Sequence, residues 1–222
     1  MSEEILKALM ELFALIVKQD GGILFNERAY VSDFLKKQLT KDAVNEYLAM
    51  FDEQAGPVLT REVLLPPTPP SVKDSVKILG ICKQINRTLN QEQKVVVLMR
   101  LFELVNADRQ FTLQRMNIIN TVADVFRISA EEFSSIEQFI KNDEPESLKN
   151  PAILVLIPGD EECNICKRLL TGYQDTKIFI LRVESVDLYF IKYISGDQLY
   201  LNGLPIRSGT IYTFAKGGAL KS

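Results

Sequence analysis

The sequence contains no histidine and only three cysteines in 222 residues. Without histidine there can be no Ser-His-Asp or Cys-His relay and no histidine-containing zinc site. Cys82, Cys163 and Cys166 are too few and too unevenly placed for a disulfide framework, which points to a reducing compartment. No apolar run approaches the roughly 20 residues of a membrane span. Ser2-Glu3-Glu4 is acidic where a secretory leader would be basic. A formal net charge of −3, with no basic stripe, argues against a nucleic-acid partner. The expectation from these absences is a cytoplasmic protein with little catalytic equipment.

What is present is a helical pattern that breaks and restarts. Ile5, Leu9, Leu12, Phe13, Ile16 and Val17 recur at helical spacing and predict a helix over 2–19. Asp20-Gly21-Gly22 ends it, since glycine accepts the left-handed backbone that closes a helix. A second helix is expected over about 26–38, burying Tyr30, Val31, Phe34 and Leu35. Thr40 is placed to cap a third, which carries Val44, Tyr47, Leu48 and Phe51. Gly56-Pro57 and Pro66-Pro67-Thr68-Pro69-Pro70 then forbid a helix, so 54–70 reads as a stiff extended crossover. Four more helices follow, opened in turn by Ser71 with Asp74, the capping-box pair Asn90 and Gln93, Thr112, and Ser129 with Glu132.

The second stretch repeats the first. Adding 88 to a residue number pairs Leu9 with Val97, Phe13 with Leu101, Asp20 with Asp108, Ile23 with Phe111 and Val31 with Ile119. The second copy then gains one residue, so that Val44 matches Phe133 and Tyr47 matches Ile136. Two repeated three-helix units are expected to pack on each other as one bundle over 1–143. Beyond Asp143-Glu144-Pro145 the period changes to that of strands, from Ile153-Leu154-Val155-Leu156-Ile157 onward. Asn202-Gly203 signals a type I′ hairpin. Residues 151–222 are therefore expected to form a small, mostly antiparallel β domain, making the whole chain α+β.

Candidate chemistry is sparse. Asp20 and Glu27 put two carboxylates at one loop, where oxygen ligands suit calcium, magnesium or manganese. The same pair also has a purely structural reading, with Asp20 closing a helix and Glu27 as the early acid of the next. In the second copy Arg109 stands for the glycine and Arg115 for the acid, and Asp108 with Arg115 forms an ion pair of little worth if exposed. Cys163-Asn164-Ile165-Cys166 has CxxC spacing, but no second pair completes four ligands, and Asp160-Glu161-Glu162 disfavours a thiolate. Gly217-Gly218-Ala219-Leu220-Lys221-Ser222 fails as a phosphate loop, because Leu220 sits where glycine belongs.

The doubled pattern of helix, Asp-Gly, apolar residue and capped helix with an early acid resembles the tellurite-resistance TerB-like family over roughly 5–140. The resemblance implies an all-helical bacterial domain linked to stress and tellurite resistance, with a divalent metal ion held by acids in these loops. Asp20 and Glu27 would then be the ligands and Asp108 a weaker third; Arg109 and Arg115 depart from the pattern. The β tail, with Leu188-Tyr189-Phe190-Ile191-Lys192-Tyr193 and Leu199-Tyr200-Leu201-Asn202-Gly203, looks like the segment joining such a region to later domains of large ABC transporter ATP-binding proteins. That likeness implies a non-enzymatic regulatory or interaction region whose partners are other domains or subunits of the transporter, with ATPase motifs beyond Ser222. The alternatives are a self-contained metal-responsive stress protein and, third, thiol chemistry at Cys163 and Cys166.

Overall fold

The computed structural model describes residues 3–59, 72–158, 167–171, 176–194 and 198–221. The proline run 66–70, Ser71, the acids 160–162 and the cysteines Cys163 and Cys166 lie outside the described residues. The chain divides into two compact units, Met1–Ser129 and Ala130–Ser222. Among the described residues no helix is long and apolar enough to cross a membrane.

The first unit holds helices α1 (Glu3–Val17), α2 (Phe25–Lys36), α3 (Lys41–Ala55), α4 (Val72–Thr88), α5 (Gln91–Asn106) and α6 (Leu113–Val125). Helices α1 and α5 form its centre. Leu9, Leu12, Phe13 and Ile16 of α1 and Val95, Leu98, Leu101 and Phe102 of α5 are fully buried. A helix apolar on nearly every side is stable only when surrounded. α1 packs against α3, α4 and α5; α5 also packs against α2 and α6; and α4 lies along α6. Phe13 meets Tyr30 and Phe34 edge-to-face, with ring centroids 6.0 and 5.8 Å apart.

Both loops turn through a left-handed residue directly after the aspartate, Gly21 at φ 90° and Arg109 at φ 58°. The first loop then runs as β1 (Ile23–Leu24) in parallel with β2 (Val58–Leu59). The Ile23 N–H donates to the Pro57 carbonyl at 2.9 Å. Gly22 is required by this approach, since a Cβ there would stand 2.3 Å from the Pro57 oxygen. Asn90 and Gln93 form the expected capping box on α5, and Thr112 accepts from the Arg115 N–H on α6. Thr40 precedes α3 without a side-chain cap bond, contrary to expectation.

The second unit opens with α7 (Ala130–Lys141), followed by β3 (Ile153–Pro158), β4 (Lys167–Thr171), β5 (Lys177–Val183), β6 (Leu188–Ile194), β7 (Leu199–Leu201), β8 (Leu204–Ile206), β9 (Tyr212–Thr213) and β10 (Leu220–Lys221). A five-stranded sheet has the order β4-β3-β5-β6-β9, antiparallel except for the β3–β4 pair. A three-stranded sheet has the order β10-β7-β8. Its β7–β8 hairpin turns at Asn202 (φ 52°) and Gly203 (φ 81°), the left-handed pair that a type I′ turn needs. Helices followed by mostly antiparallel sheet make the chain α+β. Helix α7, expected from its spacing to close the helical bundle, belongs by its contacts to this unit, where it packs on β5.

Candidate functional site

The two loops of the helical unit meet around one side chain. α1 ends in a 3₁₀ turn, Lys18–Asp20, that sets Asp20 at its tip. Glu27, the third residue of α2, accepts the Leu24 N–H on Oε2 at 2.7 Å. This is half a capping box, because leucine offers no acceptor in return. Asp108 follows α5 and accepts the Gln110 N–H on Oδ1 at 2.9 Å. Arg115, the third residue of α6, reaches into the space between them.

Its guanidinium contacts all three acids. Nη2 donates to Glu27 Oε1 at 2.5 Å, and Nη1 donates to Asp108 Oδ2 at 2.9 Å and to the Gln110 carbonyl at 3.3 Å. Nε lies 2.6 Å from Asp20 Oδ2, yet neither atom is in hydrogen-bond alignment. This contact is therefore ionic only. The Thr112 hydroxyl donates to Asp20 Oδ1 at 3.4 Å. The Arg115 and Glu27 side chains are 0% exposed, Asp108 3% and Asp20 8%.

Three carboxylates and one guanidinium leave a formal charge of −2 in the interior, which the low local dielectric penalises. Burial pushes the Glu27 carboxyl up to about 7; the Arg115 guanidinium and the Leu24 N–H pull it down, and Asp108 and Asp20 push it up. Burial likewise raises Asp20, opposed by Arg115. The cluster thus favours keeping a proton close to neutral pH.

The acids expected as metal ligands, Asp20, Glu27 and Asp108, do converge. The missing member was Arg115, which the spacing paired with Asp108 alone. That pair exists, but it is fully enclosed and so differs in energy from an exposed one. As arranged, the residues do not fit a divalent ion. The guanidinium fills the point on which the carboxylates converge, and calcium wants about six to eight oxygens. Among the described residues no group of three or more acids or thiols is disposed to hold a metal.

Elsewhere, Cys82 is buried, and burial pushes its thiol up to about 12, leaving it inert. A cavity of about 400 Å³ at one end of α1 and α5 is lined by Ile5, Leu9, Leu89, Val97 and Arg100 among others. Arg100 is engaged there by Glu103, which also accepts from the Tyr30 hydroxyl at 3.1 Å.

The sequence model of the family described as Tellurite resistance protein TerB matches residues 6–138. No curated protein and no solved structure matches the chain. The family match covers more than half of the chain and takes in both loops and all four residues of the cluster, so the chain belongs to the TerB tellurite-resistance family.

Proposed function

We propose that this chain is a non-enzymatic regulatory and interaction region, a TerB helical unit followed by a β unit, that serves a cytoplasmic ABC transporter ATP-binding protein. The observation that carries the reading is the closure of the carboxylate cluster on Arg115. The acids best placed for chemistry are spent on an internal cation, which makes the loops a scaffold. Support also comes from the surface of the same loops. Phe25 and Leu113 occupy one repeat position as the first residues of α2 and α6, and they are 77% and 73% exposed. Paired apolar side chains beside a rigid core suit partner contact.

Two experiments test this reading. The open reading frame past Ser222 should carry a nucleotide-binding Walker motif, and a stop codon there removes the fused-ATPase form of the reading. In the ATP-binding protein, the double variant Phe25→Ser and Leu113→Ser should change regulated ATP turnover by about fivefold or more, a free-energy effect of about 1 kcal/mol. Unchanged turnover, with an unchanged melting temperature, sinks it.

The rival reading, a self-contained metal-responsive stress protein, draws on the convergence of Asp20, Glu27 and Asp108. It requires Arg115 to leave the cluster. Calorimetry with manganese, calcium and zinc against a Glu27→Ala control decides it, since heat that the control lacks is what this reading demands.

A further inference from the structure

The geometry points to Arg115 as a resident cation. Its guanidinium holds the place of a divalent metal ion between the two loops, so the native chain joins its repeats without metal. Replacing it with an acidic or small residue opens an oxygen-lined site for manganese or calcium.

The repeat supplies the first argument. Asp20 matches Asp108, and Glu27 matches Arg115. A symmetric version of the cluster would carry two aspartates and two glutamates. Exchanging one glutamate for arginine changes the charge by +2, the charge that a divalent ion would bring. Four carboxylates with such an ion and three carboxylates with a guanidinium have the same formal charge, −2. The exchange is therefore electrostatically equivalent to binding the metal permanently.

The second argument is independent and geometric. A guanidinium is a planar fork with donors in fixed directions. Here it serves Glu27 and Asp108 by hydrogen bonds but reaches Asp20 only off-axis, leaving Arg115 Nε and Asp20 Oδ2 buried without hydrogen-bond partners. Three carboxylates converging from two loops are better served by a spherical charge than by a fork. All three side chains remain enclosed, so a cation placed there is shielded from competing water.

The proposal holds whichever partner the chain serves. Its test is titration calorimetry and thermal melting of the full chain with manganese chloride, calcium chloride and magnesium chloride. The wild-type protein should show no binding heat and a melting temperature unchanged by millimolar metal. Arg115→Glu and Arg115→Ser should melt lower without metal, and manganese or calcium should raise their melting temperature by about 5 °C or more, as a ligand specific to the folded state does. Adding Glu27→Gln to either variant should weaken metal binding by at least about tenfold, the loss of one charged ligand. Wild-type binding that Glu27→Gln abolishes overturns the proposal. So does a folded Arg115 variant with no response to metal. Failure of both variants to fold with metal present also overturns it, because an ion that stands in for the guanidinium must restore the fold.

Discussion

Glu27 and Arg115, each the third residue of its helix, touch each other, Oε1 to Nη2, at 2.5 Å. The cluster is therefore where the two loops of the helical unit meet, drawing its members from both. An identical pair of acids there would repel. Opposite charges turn the same contact into a clasp between α2 and α6.

The clasp should be costly to break from one side. Arg115→Met leaves three buried acids without a counter-charge and should lower stability by about 3–5 kcal/mol in urea unfolding. Glu27→Gln added to it removes one of those acids and should recover part of the loss. A coupling energy near zero in the double-mutant cycle would show that the two side chains are merely adjacent.

Glu27 also predicts a pH dependence of unusual sign. Its carboxyl sits at about 7 in the folded protein, against an ordinary 4.5. Between those values the folded state holds a proton that the unfolded chain has released. Stability should therefore fall as pH rises from about 4.5 to 7, by up to about 3 kcal/mol from this group. The raised Asp20 acts in the same direction. Urea midpoints across that window should decline for the wild type and flatten for Glu27→Gln. Equal slopes in the two proteins would remove Glu27 as the cause.

The Asp20-Gly21 turn, the Asn90 box and the Asn202-Gly203 hairpin could all be read from spacing, because each is a local rule written in a few adjacent residues. The family followed from the same pattern. Arg115 was visible only as an exchanged residue. A register of 88 shows which residues are equivalent, but not that equivalent loops face each other, so its reach to Asp20 and Glu27 stayed hidden. The assignment of α7 to the second unit was hidden for a similar reason. Phe139 and Ile140 make an apolar face that suits a bundle or a sheet equally well, and only the sheet beside it decides.

The two loops differ in what their backbones demand. Gly22→Ala drives a Cβ into the Pro57 carbonyl and should cost about 1–3 kcal/mol, as overpacking against rigid backbone does. Arg109, by contrast, holds a positive φ that disfavours side chains, so Arg109→Gly relieves about 1 kcal/mol of backbone strain, which offsets the loss of its side-chain interaction and should leave stability near neutral. Thermal melts of the two variants should move in opposite directions or leave the second in place. Equal losses would mean that the Arg109 side chain matters more than its backbone.

Lys192 makes the parallel case in the β unit, where a charged residue interrupts an apolar strand and is only 3% exposed. Its Nζ donates to the Asn142 carbonyl at 2.8 Å and the Ile140 carbonyl at 3.4 Å, and pairs with Asp143 at 3.1 Å. The ammonium also lies 5.3 Å from the ring centres of both Phe139 and Phe179. A cation at the last carbonyls of a helix satisfies acceptors that the helix cannot, and it opposes the negative end of the dipole. Lys192 thus ties the end of α7 to β6. Lys192→Met keeps most of the stem but strands those carbonyls, and should cost about 2–4 kcal/mol. The loss should be local before it is global, so amide exchange in the last turn of α7 should accelerate more than exchange in β3 or β5. Uniform acceleration across the unit would instead assign Lys192 a role in packing alone.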